Sequence, residues 1–241
     1  LYTAFAPMIH IAALERVATL LDLDLLAVAA EPFAVSRSVI GDDVDSSISA
    51  VLMDVGGGTT DIAVINEGGV QGTKMFGIGG RAFTKSIQRE LAIKYDEAEQ
   101  IKVTMATEPN GEDETKASEA LDRTCDVWLS GVELALSEFT EVEHLPHKIL
   151  LCGGGASLEK LLLSIEQTNW YGGLPFTKKP SVAYITPDQV EGVTDTTGQV
   201  TDHTYVTAMG LLRVGVDTLE QESAEAGGNP IKSKIDRILR T

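Results

Sequence analysis

The residue types with clear chemical capacity concentrate in Val51-Leu52-Met53-Asp54-Val55-Gly56-Gly57-Gly58-Thr59-Thr60-Asp61-Ile62-Ala63-Val64-Ile65. An apolar run carrying β-branched Val enters three consecutive glycines and a second apolar run leaves them, which is the pattern of strand, tight turn and strand. Three glycines strip every Cβ from the turn, so backbone N–H groups can approach an anion closely, and Thr59 and Thr60 add hydroxyl donors beside them. Gly56, Gly57, Gly58, Thr59 and Thr60 are therefore candidates for holding phosphate. Asp54, at the end of the first strand, would repel a phosphate directly, but it can hold a hydrated divalent cation that binds one through water. Asp61 is assigned a local role, pairing with backbone donors and shaping the turn. A glycine-rich hairpin with no ligand is the competing reading.

Other phosphate loops fit less well. A dinucleotide fingerprint needs a strand, G-x-G-x-x-G and then a helix, and a Walker loop needs G-x-x-x-x-G-K-[ST]; neither context is present. The stretch instead resembles the second phosphate motif of the actin, sugar-kinase and heat-shock-chaperone ATPase superfamily. Within it, "DVGGGTTDIAVINEGG" most closely resembles the bacterial FtsA and PilM branch. The resemblance implies an α/β, actin-like (ribonuclease H-like) nucleotide-binding fold with ATP and Mg2+ as ligands, the metal held by Asp54 through water.

The elements that must position these groups follow in chain order. Residues 8 to 22 carry Ile11, Leu14, Val17, Ala18 and Leu21 at helical spacing, which predicts an amphipathic helix packed on a sheet. The run 23 to 30 predicts a buried strand, and Glu31-Pro32 then opens a helix, Pro being well placed in a first turn where its missing N–H costs nothing. Glu31 thus sits where a strand end meets a helix start, the edge at which open α/β sheets hold ligands. A carboxylate there can equally do no more than favour the positive helix end. "EPFAVSRSVI" is similar to the connecting helix of the chaperone and bacterial actin relatives, and the resemblance implies that Glu31 helps position the water attacking the γ-phosphate.

After the hairpin come a third strand near Val70 to Met75 and the "GIGG" that precedes the helix "AFTKSIQREL". Glycines before a helix leave first-turn N–H groups facing outward, so Gly79 and Gly80 are secondary nucleotide candidates. In "DEAEQIK", Glu99 and Lys102 are three apart on one helical face, the spacing of an ordinary surface pair. "E-A-E-x-x-K" resembles the relatives' ribose- and adenine-contacting helix. It implies that Glu99 accepts from ribose hydroxyls while the Lys102 stem lies along the base. Residues 107 to 119 are charged and contain Pro and Gly, which predicts a mobile loop. A long core helix is predicted from about Glu119 to Phe139, with Trp128 as a packing anchor rather than a cofactor contact. "HKILLCGGGASLEKLLLSI" predicts strand, three glycines and helix; such a turn often serves packing alone, but its order after the other motifs matches the relatives' adenosine motif, which implicates Gly153, Gly154 and Gly155. Residues 170 to 200 predict loops with a strand near Val182 to Ile185 and no chemistry. "TYVTAMGLLRVGVD" predicts a final core helix in which Gly210 permits close packing.

Composition narrows the partners. A net charge of −17 over 241 residues argues against nucleic acid, whose backbone is bound by clustered Lys and Arg. Cys125 and Cys152 lie in apolar surroundings without metal spacing, as reduced buried thiols of a cytosolic protein do. No apolar run reaches the length of a membrane span. The chain begins at Leu1, and its opening reads as the middle of a domain, so a missing N-terminal part is expected, with the family's first phosphate motif in it. The ordered motifs divide the chain into the end of a first actin-like domain (1–49), a second domain core (50–80 and 120–216), an inserted small subdomain (81–119), a linker (217–230) and a tail (231–241).

That tail, "IKSKIDRILRT", places Ile231, Ile235, Ile238 and Leu239 on one helical face with a local charge of +3. So short a helix forms only against a surface, and it resembles the membrane-targeting helix that ends FtsA; docking on the protein itself is the alternative. Three functional readings follow from the resemblance. The first is an ATP-binding, FtsA-like cytoskeletal protein of bacterial cell division that polymerises with itself and tethers division partners to the inner face of the cytoplasmic membrane, at most a slow ATPase. The second is a PilM-like module of type IV pilus assembly, and the third, remote one is a sugar or acetate kinase of the superfamily.

Overall fold

Strand β1 (Ala50–Val55) occupies the centre of a five-stranded sheet of order β3-β2-β1-β4-β5. The computed structural model describes residues 5–40, 48–105 and 111–225, with side chains through 220. β1 pairs antiparallel with β2 (Thr60–Asn66), and β2 with β3 (Gly69–Phe76), across a bulge between Val64 and Ile65. On its other side β1 runs parallel to β4 (Lys148–Cys152), which runs parallel to β5 (Ser181–Tyr184). The predicted strand, turn and strand are thus present, and the third strand begins one residue earlier and ends one later than expected.

Both faces of β1 are covered, which is why its sequence is apolar without alternation. Ala50 and Leu52 pack under α2 (Glu31–Val39) and α7 (Val206–Glu225); Val51, Met53 and Val55 pack under α3 (Gly80–Leu91), α5 (Glu112–Ser137) and α6 (Glu159–Gln167). α4 (Tyr95–Thr104) closes the second layer against α3 and α5. Each fully buried Val, Leu or Met contributes about 1.5–3 kcal/mol of transfer free energy, so a one-residue slip of β1 would be heavily penalised. Trp128 is fully buried in α5, as its predicted packing role requires.

Four expectations are corrected. α1 (Met8–Leu20) forms, but none of its residues is buried and Leu14 and Val17 are 46% and 53% exposed, so it does not pack on the sheet. Residues 23–30 are not a buried strand: they pair with no strand among the described residues, and 23–28 are exposed. The segment 112–119 is not a loop: α5 starts at Glu112. Its acidic first turn, Glu112, Asp113 and Glu114, favours the positive helix end, Lys116 pairs with Glu112 at 2.7 Å, and Ala117 is fully buried. The expected linker is corrected in its first part, since residues 217–225 continue α7; its remainder, 226–230, and the tail, 231–241, lie outside the described residues.

Candidate functional site

The glycine turn after β1 and the three glycines after β4 stand side by side at the carboxyl ends of two parallel strands, with Asp54 in register with Cys152. This is the edge at which open α/β sheets hold ligands. Gly153 adopts φ +86°, and a Cβ there would overlap the Asp54 carboxylate and stand 2.6 Å from the Val55 carbonyl oxygen. The close approach of the two turns therefore requires glycine at this position.

A group of carboxylates forms one wall. The hairpin register sets Asp54 opposite Asp61, and α2 brings in Glu31 from its first turn. α2 is held there by α7: the Ala34 carbonyl approaches Gly210 too closely to admit a Cβ, and Asp217 accepts from Arg37 at 2.8 Å and from Arg213 at 2.9 Å. Asp54 is 4% exposed and accepts a hydrogen bond from the Thr207 hydroxyl. As a whole residue Glu31 is exposed. Partial burial of its carboxyl, then the charges of Asp54 and Asp61 and a hydrogen bond with Asp54, push its pKa up to about 7. Asp61 is raised by burial, against a lowering hydrogen bond from Thr59 and with a further raising contribution from Asp54. Asp61 therefore has more than the local role expected of it. The Cys152 thiol, beside Thr207, is raised well above the usual range by burial and then by Asp54.

The turn itself divides its donors. Gly56 N–H donates to Thr59 C=O at 2.9 Å, whereas the N–H groups of Gly57 and Gly58 have no acceptor among the described residues. The Thr59 hydroxyl is turned to Asp61. Thr60 must be withdrawn as a phosphate contact: it is fully buried, donates to Ile78 C=O at 2.7 Å and accepts from Trp128 Nε1 at 2.8 Å, because the alternation of β2 turns it into the core. The expected outward N–H of Gly80 is also spent, on Gly56 C=O at 2.9 Å, so Gly79 and Gly80 dock α3 on the hairpin.

A cleft of about 130 Å³ opens beside the turn, lined by Gly80, Glu99, Lys102, Val103, Gly154 and Ser157. Lys102 Nζ donates to Glu99 Oε2 at 2.9 Å, to Thr84 Oγ1 at 3.0 Å and to Gly80 C=O at 3.3 Å. Thr84, fully buried, also donates to Glu99. Burial raises the Glu99 carboxyl, but the hydrogen bonds from Lys102 and Thr84 and the charge of Lys102 outweigh it and leave it below its usual value. With 41% of its side chain exposed, Glu99 keeps acceptor capacity toward the cleft. Gly154 faces open space, a Cβ there meeting nothing within 4 Å, while Gly153 N–H donates to His203 C=O at 3.3 Å.

The structure thus gathers Glu31, Asp54, Gly56 to Gly58, Gly79, Gly80, Glu99, Lys102 and Gly153 to Gly155 around one edge. Sequence reasoning gave Asp61 a local role alone and missed Thr84, Thr207 and His203. Asp61 was readable from the symmetric placement of two aspartates about the glycines, and Thr84 from its place one helical turn after Gly80; Thr207 and His203 carried no local signal. Among the described residues no three His, Cys, Asp or Glu side chains are grouped as direct metal ligands. The donor set suits a phosphate chain at Gly57 and Gly58, a hydrated cation at the carboxylates and a polar ring system in the cleft.

The sequence profile of the family "Cell division protein FtsA" matches residues 51–210. The Cell division protein FtsA of Pseudomonas aeruginosa is 27% identical over 206 residues, covering 77% of this chain and 46% of that protein. That of Neisseria meningitidis is 36% identical over 73 residues, covering 30% of this chain and 17% of that protein. The chain therefore spans less than half the length of these relatives. Among solved structures, a chain of the PilM-PilN type IV pilus biogenesis complex superposes with a TM-score of 0.66 at 17% identity, over 86% of this chain and 57% of that one. MreB 5 of Spiroplasma citri bound to AMPPNP gives 0.61 at 16% identity, over 93% and 68%. The fold is that of the actin-like ATPases.

Proposed function

The chain belongs to the cell division protein FtsA family, in the FtsA and PilM branch of the actin-like ATPases, and on that premise we propose that it is the nucleotide-binding part of an ATP-dependent cytoskeletal protein of bacterial division. The observation that carries this reading is a juxtaposition at the carboxyl ends of β1 and β4: a cleft lined by Glu99, Lys102 and Gly154, a glycine turn whose Gly57 and Gly58 N–H groups have no acceptor among the described residues, and the carboxylates of Glu31, Asp54 and Asp61.

In this reading the phosphates lie on Gly57 and Gly58, with Gly56 and Thr59 shaping the turn. Glu99 accepts from the ribose hydroxyls, Lys102 fixes Glu99, and Gly153 to Gly155 flank the adenine. Asp54 holds hydrated Mg2+ through water, and the ion, when bound, supplies charge neutralisation at the phosphates. Glu31 orients the attacking water. MreB 5, which shares the fold, was solved with AMPPNP, which supports a nucleotide as the ligand. Self-assembly, division partners and a place at the cytoplasmic face of the membrane through residues 231–241 complete the proposal. A PilM-like role in pilus assembly is the second reading, favoured by the superposition on the PilM-PilN complex.

The test is isothermal titration of the full-length protein with Mg-ATP. Asp54→Ala is expected to weaken the Mg2+-dependent part of binding most, and Gly57→Val, whose side chain would stand on the phosphate position, to abolish it. Equal affinity for wild type and Gly57→Val would remove the site assignment.

A further inference from the structure

One cation at this edge has no side-chain partner among the described residues. The Arg81 backbone is fixed by its N–H donating to Gly57 C=O at 2.7 Å, and its guanidinium lies across the glycine turn. A Cβ at Gly58 would overlap Nη2 and stand 3.4 Å from the guanidinium carbon, and one at Gly57 would stand 3.7 Å from Nη1. A side chain at 58 would therefore displace the guanidinium from the turn.

The guanidinium nonetheless has no hydrogen bond and no ion pair among the described residues, in a chain of net charge −17 with Glu31, Asp54 and Asp61 at the same edge. By contrast Lys102 is fully engaged by Glu99, Thr84 and the Gly80 carbonyl. A planar fork of donors beside two unpaired backbone N–H groups is a matched set for a tetrahedral dianion, which takes a bidentate guanidinium and leaves oxygens for the amides.

Building on the nucleotide site proposed above, we propose that Arg81 is a specificity residue that grips the phosphate chain at the glycine turn and so separates phosphorylated nucleotides from the nucleoside. Adenosine reaches only the cleft at Glu99 and Gly154, whereas a di- or triphosphate extends under the guanidinium. Because Arg81 is exposed, its contribution falls as salt rises.

The experiment is titration of full-length wild type, Arg81→Gln and Arg81→Lys with Mg-ATP, Mg-ADP and adenosine at low and high salt. Arg81→Gln is expected to lose about 10- to 100-fold in affinity for both nucleotides, the range of a charged hydrogen-bonded pair, with adenosine unchanged and the salt dependence of ATP binding reduced. Arg81→Lys restores part of the loss, since it keeps the charge and not the fork. Unchanged ATP affinity in Arg81→Gln, or an equal loss for adenosine, overturns the proposal while leaving the nucleotide site standing. Wild type that binds none of the three overturns the site and this proposal together.

Discussion

Glu31→Gln should make the protein more stable at alkaline pH and leave it unchanged in acid. The wild-type carboxyl has its pKa raised from 4.5 to about 7 by partial burial and by Asp54 and Asp61. Folding therefore favours its protonated form: the contribution is fully present below the unfolded value and is lost as pH rises through about 7. A shift of that size corresponds to about 3.4 kcal/mol at ~1.36 kcal/mol per pH unit. Because more than a third of the Glu31 surface stays in water, screening reduces this to about 1 kcal/mol. Gln keeps the shape and an N–H for Asp54 and cannot ionise. Urea unfolding in EDTA at steps from pH 5 to pH 8.5 measures the difference between the two proteins, in which other titrations cancel. The variant's midpoint should rise above that of wild type by about 0.3 M at pH 8.5, taking a slope near 3 kcal/mol/M, and the gap should narrow as the pH falls toward 5. A difference that is constant across the range, or that grows toward acid, would refute the account of the carboxylate wall.

Two further outcomes are expected. Asp217→Asn removes the shared charge that ties Arg37 of α2 to Arg213 of α7, and with the Arg213 side chain only 5% exposed it should cost about 2 kcal/mol and lower the melting temperature by about 4–8 °C; a change of under 1 °C would mean that Gly210 packing alone holds α2. If residues 231–241 form a basic amphipathic anchor, the full-length protein should co-sediment with anionic liposomes at low salt and a version ending at Gly228 should not; equal pelleting of the two would favour the pilus-assembly reading.

The hairpin, α2, α3, the core stripe of α5 and the second glycine turn were legible because each is written in local periodicity and in glycine placement. What was illegible depended on partners distant in the chain. Thr207 reaches Asp54 across 153 residues, and nothing near either marks the contact. Thr60 read as a donor beside the glycines, but the strand period turns it to Trp128, and only the register decides which of Thr59 and Thr60 faces the core. Residues 23–30 carry strand composition, yet a strand exists only where its backbone pairs with a neighbour, and the sheet runs from β3 to β5 without them. The first turn of α5 was hidden by its charges, which describe a solvated face as well as they describe a loop; Ala117 was the discriminating residue and is too small to register as an anchor.

The arrangement of charge answers how so acidic a chain can offer a seat for polyphosphate. The negative groups are not spread along the ligand's path: Glu31, Asp54 and Asp61 face one another, and partial burial together with the charges of Asp54 and Asp61 raises Glu31 to about 7, so the wall carries less than its formal charge near neutrality. Glu99 is the other acid in reach, and Lys102 cancels it. What remains toward the turn is positive or neutral: the unpaired amides of Gly57 and Gly58 and the guanidinium above them. A divalent cation brought in with the ligand would favour the ionised form of the whole wall, so metal and phosphate would each improve the site for the other. Net charge therefore argues against nucleic acid, which needs a broad basic surface, without arguing against a nucleotide, whose phosphates need only one locally inverted patch.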